Sequence, residues 1–209
     1  MFIGHYALAF GARKSGKLPS LAVMFIAAQF LDLLWPIFVL SGIETFEIEA
    51  GNTALTPLNF TFYPYSHSLL MSIVWAVLFA ATYFGLTKNK RGALVSGILV
   101  LSHWFLDFIT HRPDLQLTPF SNLRVGLGLW NQPTLEVIIE VGIFLMGVYM
   151  YAKSTPVKRK IAFWLLIILF IAVYFLNIFG PPPPSIKAVA WSANLMWLFV
   201  LWAWWLEKK

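Results

Sequence analysis

Three residues with metal-binding side chains, His103, Asp107 and His111, follow one another at four-residue intervals at the end of an apolar stretch. An α-helix turns by about 100° per residue, so three such side chains stay within about 80° of one another on one face. Imidazole and carboxylate groups are common ligands of divalent cations. The spacing therefore indicates part of a metal site, and the remaining ligands have to come from other segments.

Further ionisable residues lie within or beside apolar segments, where charged side chains are costly and usually functional. They include the two remaining histidines of the chain, His5 and His67, and the carboxylates Asp32, Glu136 and Glu140. No lysine or arginine lies in the middle of these segments to neutralise the carboxylates. A divalent cation would neutralise them and bind the imidazoles at once. The predicted ligands are His5, Asp32, His67, His103, Asp107 and His111, with Glu136 and Glu140 as further candidates.

Oxygen and nitrogen are the ligand atoms of this set, because the chain has no cysteine. Such ligands suit Zn²⁺ and admit Mn²⁺ or Fe²⁺. Other interpretations of single residues stay open. A histidine in a span can form a hydrogen bond between helices, Glu136 can face interfacial water, and a buried carboxylate without a basic partner can be protonated.

Composition places these residues in a membrane protein. The chain is 59% hydrophobic and 11% charged, whereas soluble domains average about 25% charged residues. It therefore cannot cover itself with a polar surface. We expect no cleavable signal peptide, because no basic region precedes the apolar residues of Met1–Ala12.

Six segments approach or reach the length of about 20 residues that crosses the hydrocarbon core. They are Leu18–Leu40, Ser68–Leu86, Ala93–Thr110, Thr134–Tyr151, Ile161–Phe179 and Lys187–Trp205. As a helix, Met1–Ala12 would be only about 18 Å long, so we expect it to enter the bundle without crossing. The prediction is an all-α polytopic bundle of six transmembrane helices plus an N-terminal half-helix. It forms one domain, 1–209, with a metal-site core at 1–115 and three additional spans at 134–209.

Basic residues alternate between the connections. The first set contains Arg13, Lys14, Lys17, Lys88, Lys90, Arg91, Lys153, Lys158, Arg159, Lys160, Lys208 and Lys209, and the other connections hold Arg112, Arg124 and Lys187. The positive-inside rule places the first set, and both termini, on the cytoplasmic side. Helix rise then puts His103 about 15 Å and Asp107 about 21 Å above that side, so the site lies in the non-cytoplasmic half. The basic composition follows from topology, and no nucleic-acid partner is expected.

The polar residues also occur in a recognisable order: Gly4-His5, then Asp32, then Ser66-His67-Ser68-Leu69-Leu70, then Ser102-His103-x-x-x-Asp107. Over roughly residues 1–115 this order resembles the family of membrane-bound metal-dependent hydrolases, which includes a bacterial inner-membrane protein of the damage-regulon type. That family is similar to zinc-dependent phospholipase C and to the single-strand-specific zinc nucleases. From the sequence, Ser66 is also expected to cap the second span.

The resemblance implies that Asp32, His67, His103 and Asp107 hold a first metal. It implies that Asp107 bridges to a second metal shared with His5, while His111 matches a later histidine of the family only loosely. The soluble enzymes continue with a further histidine and an HxxxE pair, whereas this chain has no histidine after His111. A third metal is therefore not implied, although Glu136 or Glu140 could replace a missing carboxylate.

These features predict an integral membrane metal-dependent hydrolase, a phosphoesterase for a lipid or lipid-linked phosphate. One or two metal ions, zinc in the first place, would activate water, with Asp32 and Asp107 as catalytic residues. Arg112 and Arg124 would bind phosphate oxygens, although Arg112 fits an interfacial snorkelling role equally well. The inner membrane of a bacterium is the expected location, and the oligomeric state is not predicted.

Two other functions stay open. Intramembrane His/Asp clusters also serve as cation, metal or proton pathways, although the polar residues here are confined to one half of the predicted membrane. A scaffold with a structural metal is the third possibility, but structural zinc sites need only four ligands.

Overall fold

The computed structural model describes residues 1–13 and 18–208. Lys14, Lys17 and Lys209, three of the residues assigned to the cytoplasmic side by the charge pattern, lie outside this part of the chain. The helices are α1 Ile3–Ala12, α2 Leu21–Ala28, α3 Phe30–Leu40, α4 Pro64–His67, α5 Leu69–Thr87, α6 Lys90–Thr110, α7 Pro133–Ser154, α8 Lys160–Phe179, α9 Ile186–Asn194 and α10 Met196–Glu207. Four short strands are β1 Thr45–Ile48, β2 Leu58–Phe62, β3 Leu115–Gln116 and β4 Arg124–Val125.

The helices confirm the predicted polytopic bundle. Within the described chain, 5 helical segments are long and apolar enough to cross a membrane: α5, α6, α7, α8 and the consecutive helices α9 and α10, taken together as Ile186–Glu207. The consecutive helices α2 and α3 would make a sixth span, but they are bent by 57°. The predicted continuous span Leu18–Leu40 is thus broken, and Gln29 is the residue between its two halves.

The outer faces of the long helices are apolar and exposed, as contact with lipid requires. Leu78 on α5, Ile138 on α7 and Ile168 on α8 all point outward. The inner face of α8 instead buries Phe163 and Phe170. A bundle with such an exterior is stable only in an apolar environment.

The N-terminal half-helix α1 lies in the middle of this bundle. Its 10 residues give a length of about 15 Å, too short to cross, and its side chains at Ile3, Tyr6 and Phe10 are fully buried. Gly147 allows α7 to approach closely, because a Cβ at this position would lie 2.2 Å from the carbonyl oxygen of Ala7. Small residues at helix contacts serve this purpose in membrane bundles.

The two long connections carry antiparallel hairpins that the all-α prediction did not contain. Strand β1 pairs with β2, and β3 pairs with β4. In β1 the side chains alternate between exposed and buried, which is the period-2 pattern of a half-buried strand. Phe46 from β1 and Phe60 from β2 pack on Trp35 of α3, with ring centroids 5.0 and 5.5 Å away. The hairpin therefore covers the end of α3.

Candidate metal centre

Five of the predicted ligands come together although they belong to four helices. His5 lies on α1, Asp32 on α3, His67 at the end of α4, and His103 and Asp107 on α6. They form two overlapping groups that could hold a metal ion, one of His5, His103 and Asp107 and one of Asp32, His67 and His103. Within each group the candidate ligand atoms lie within 4.8 Å of one another.

The carboxylate of Asp107 lies between two imidazoles. Its Oδ1 is 3.1 Å from Nε2 of His5, and its Oδ2 is 3.1 Å from Nε2 of His103. The two rings stack with centroids 3.6 Å apart. Asp107 Oδ1 is also 2.7 Å from the amino nitrogen of Met1. Each oxygen of Asp107 thus faces a different imidazole.

Asp32 approaches the same place from α3. Its Oδ1 is 3.3 Å from Nε2 of His67, and its Oδ2 is 3.7 Å from Nε2 of His103. Its side chain is 25% exposed, whereas those of His67, His103 and Asp107 are at most 5% exposed. Among these four residues, Asp32 therefore gives the widest access to the cluster.

The break between α2 and α3 helps to set the orientation of His103. Carbonyl groups in the last turn of a helix have no partner within that helix, and the carbonyl oxygen of Ala28 lies 2.8 Å from His103 Nδ1. A carbonyl can only accept, so Nδ1 carries a proton, and in the neutral ring Nε2 presents its lone pair. Nε2 is buried and has no partner with hydrogen-bond geometry in the described chain. A cation between the carboxylates would satisfy this atom, so these residues fit a metal.

Glu140 has an identifiable structural role. Its side chain is buried, and its Oε1 accepts hydrogen bonds from the backbone N–H groups of Phe2 and Gly4. These groups belong to the start of α1, where helices lack acceptors and favour negative charge. Glu136, one turn earlier on α7, is buried with no hydrogen-bond partner for either carboxylate oxygen in the described chain. Neither belongs to the two ligand groups, so metal binding by these glutamates stays a prediction.

His111 lies in a separate polar cluster. Its Nδ1 is 3.0 Å from Asp114 Oδ1 and 3.3 Å from the hydroxyl of Tyr63, and its ring packs on Trp130. Burial and the nearby Asp114 carboxylate raise the pKa of Tyr63, so the phenol keeps its proton and donates to Asp114 at 2.7 Å. His111 belongs to neither ligand group in the described chain. Its role as a ligand stays a prediction.

The two predicted phosphate-binding arginines are engaged with the first hairpin. Arg112 Nη2 donates to Asn59 Oδ1, and Arg124 Nη2 donates to the carbonyl of Thr61 at 2.9 Å. Arg124 is exposed. These bonds join the segment after α6 to β2, and phosphate binding by either arginine stays a prediction.

Two polar residues next to the cluster were missed as functional candidates. Ser66 does not cap the second span, because Ser68 does: its hydroxyl accepts from the N–H of Met71. Ser66 lies within α4 instead, where its hydroxyl is 2.7 Å from His67 Nδ1. Its other partner is Glu44, which the sequence presents as one of three acids in a polar connection. Only the adjacency of Ser66 and His67 could have suggested this arrangement.

The family follows from comparison with known proteins. A family model described as YdjM inner membrane protein matches residues 3–181. This match covers well over half of the chain, so the protein belongs to the YdjM inner membrane protein family. No curated protein and no solved structure matches the chain.

Proposed function

We propose that the protein is an integral membrane metal-dependent hydrolase that cleaves a phosphoester bond in a lipid or a lipid-linked phosphate. The observation that carries the proposal is the convergence of three imidazole Nε2 atoms on the carboxylates of Asp32 and Asp107, deep in an apolar bundle. Such a group of ligands is costly in a membrane without a cation.

The donor atoms favour zinc. Three imidazole nitrogens and carboxylate oxygens are ligands that Zn²⁺ accepts, and catalytic zinc sites leave one position for water or substrate. His103 has one nitrogen to offer, because its Nδ1 is bound to Ala28. The two ligand groups therefore cannot each hold a separate ion through His103. A first ion would use Asp32, His67, His103 and Asp107, and a second would depend on His5 and the other oxygen of Asp107.

A divalent ion in this place would polarise a phosphoryl oxygen and lower the pKa of a water molecule. In the proposed hydrolysis, the water oxygen forms a bond to phosphorus while the bond from phosphorus to the ester oxygen breaks. The water proton leaves and the released alcohol takes up a proton. Asp32 is the residue that orients the water, because its carboxylate is the one most accessible from outside the cluster.

A membrane substrate agrees with the position of the site. The apolar faces of the bundle are exposed, and the charge pattern of the sequence predicts that the cluster lies in the half of the membrane away from the cytoplasm. Arg112 and Arg124 follow α6 and are the cationic groups that we propose for the phosphate. We propose no nucleic-acid substrate.

The test is metal analysis and hydrolysis by the full chain purified in detergent. We expect about one to two equivalents of zinc and turnover of phosphodiester or phospholipid substrates that His103→Ala abolishes. Glu47→Gln is the control, because Glu47 is an exposed acid of β1. A protein that hydrolyses its substrate fully without bound metal would contradict the proposal.

A cation or proton pathway through the same cluster is the second candidate. The observation that favours it is Glu136, whose carboxylate oxygens are buried without partners in the described chain. Intramembrane acids of this kind form ion and proton relays. Metal or proton uptake by proteoliposomes separates the two functions, since a hydrolase moves no ion.

A further inference from the structure

Glu44, between α3 and β1, differs from the other acids of its connection. Its side chain is 1% exposed, whereas Glu47 and Glu49 are exposed. Its carboxylate forms no salt bridge with a described residue. Burying a carboxylate is costly unless hydrogen bonds compensate. The hydrogen-bond partners of Glu44 therefore show what stabilises its buried carboxylate.

Both oxygens of Glu44 accept from the same residue. The backbone N–H of Ser66 donates to Oε1 at 2.7 Å, and the Ser66 hydroxyl donates to Oε2 at 2.6 Å. Burial raises the pKa of the Glu44 carboxyl, while the hydrogen bonds from Ser66 favour its ionised form. An ionised carboxylate only accepts, which fixes the direction of both bonds.

The hydroxyl of Ser66 also meets the candidate metal ligand next to it. Its Oγ lies 2.7 Å from His67 Nδ1. A serine hydroxyl has one proton, and this proton points to Glu44, with the carbonyl of Tyr63 as a more distant acceptor at 3.3 Å. Towards His67 the hydroxyl is therefore an acceptor, and Nδ1 carries the proton. In the neutral ring, the form that binds metal, the lone pair of His67 is then on Nε2, which lies 3.3 Å from Asp32 Oδ1.

We propose that Glu44 is a positioning residue of the metal centre, acting through Ser66 to hold His67 in the tautomer and orientation that binds metal. The inference rests on the proposed function, because it assumes that His67 is a ligand. Residues that fix a ligating histidine through its second nitrogen typically change metal affinity by about 10–100-fold when replaced. The carbonyl of Ala28 has the corresponding role for His103.

A purely structural role for Glu44 is the alternative to be excluded. The N–H of Ser66 belongs to the short helix α4, and Glu44 could serve only as its acceptor. Glu44→Gln separates the two roles. The amide oxygen of glutamine can still accept from that N–H, but its NH₂ group donates to the Ser66 hydroxyl. The hydroxyl proton then turns to the nearer of its two remaining acceptors, His67 Nδ1 at 2.7 Å rather than the carbonyl of Tyr63 at 3.3 Å, and this moves the histidine proton to Nε2.

The experiment uses the full chain labelled with ¹⁵N-histidine. Its four histidines give a simple NMR spectrum, and the signal of His67 is the one that disappears in His67→Gln. In metal-free wild type we expect the Nδ1–H form of His67, and in Glu44→Gln the Nε2–H form. Zinc affinity, measured by chelator competition, should fall by about 10–100-fold. Ser66→Ala removes the hydroxyl that connects Glu44 to His67, so it should also lower the affinity for zinc. Glu47→Gln should leave tautomer and affinity unchanged.

An unchanged tautomer in Glu44→Gln, or a changed tautomer with wild-type zinc affinity, would overturn the inference. If Glu44→Gln does not fold, as judged by its circular dichroism, Ser66→Ala decides through zinc affinity. A wild type that binds no zinc would instead overturn the proposed function. The tautomer of His67, measured without metal, still shows whether the hydrogen bonds that Glu44 accepts from Ser66 control it.

Discussion

Two His/Asp pairs on neighbouring stretches of the chain, His103–Asp107 and His111–Asp114, differ in how their hydrogen bonds are completed. In the first pair, Nε2 of His103 is buried without a hydrogen-bond partner in the described chain. This pair is part of the larger cluster in which the imidazoles of His5, His67 and His103 face the carboxylates of Asp32 and Asp107. In the second pair, Asp114 already accepts from Tyr63 and lies 3.0 Å from His111. Asp107 of the first pair already faces the amino group of Met1, but Nε2 of His103 still lacks a partner, whereas the second pair is satisfied by the protein itself. The difference indicates which pair would hold the proposed cation.

The largest effect on zinc affinity is expected from a substitution in the first pair. His103→Ala removes the imidazole that both ligand groups share, and we expect zinc affinity to fall by more than the roughly 100-fold typical of indirect partners. Isothermal titration or chelator competition measures this change. Asp114→Ala is the matched variant, and a similar loss of affinity in it would show that the two pairs form one site.

Removal of the metal is a second test of the difference between the two pairs. Free zinc at 100 times its dissociation constant should stabilise the folded protein by about 2.7 kcal/mol. A chelator should therefore lower the thermal unfolding midpoint of wild type and of Asp114→Ala, but not that of His103→Ala. An equal shift in all three would mean that the chelated ion is held elsewhere.

Breaking the second pair should cost stability and leave zinc binding intact. Asp114→Ala removes the carboxylate that the Tyr63 hydroxyl and His111 Nδ1 share and leaves them only each other, 3.3 Å apart. The loss of such a buried partner costs about 1–3 kcal/mol. Thermal or denaturant unfolding in detergent checks this loss. Unchanged stability would mean that water replaces the carboxylate.

The smallest expected effect comes from Tyr63→Phe, which removes only the hydroxyl that donates to Asp114. The loss of one hydrogen bond should lower the free energy of unfolding by about 0.5–1.5 kcal/mol. Zinc affinity should stay at the wild-type value, without the roughly 10–100-fold loss expected for a partner of a metal ligand. A larger change in affinity would connect this cluster to the metal centre.

The different fates of His103 and His111 also show how far helical spacing could predict the site. Asp107 follows His103 by one helical turn, so their shared face was predictable. Helix α6 ends at Thr110, and His111 has extended backbone angles, with φ −65° and ψ 147°. Its side chain therefore leaves the face that the spacing assigned to it. Pro113 was the available signal, because helices usually end at or before the residue that precedes a proline.

Other parts of the structure differ in how clearly the sequence indicates them. The long apolar segments predicted the spans because crossing a membrane requires a minimum length. The break at Gln29 has no glycine or proline beside it, and Pro36 lies further along inside α3. The connection between α3 and α4 gave no indication of Glu44, because its burial depends on a contact with Ser66 that spans 22 residues.

The capping of α1 by Glu140 has a consequence for the order in which the protein is assembled. The N–H of Gly4 finds its acceptor on a residue 136 positions later, and contacts so distant in sequence form late. During synthesis, α1 has no partner for its first N–H groups until α7 has been made. We therefore expect His5 to join the cluster after His67, His103 and Asp107 have been inserted. The first of the proposed metal ions would then bind before the half-helix closes over the cluster.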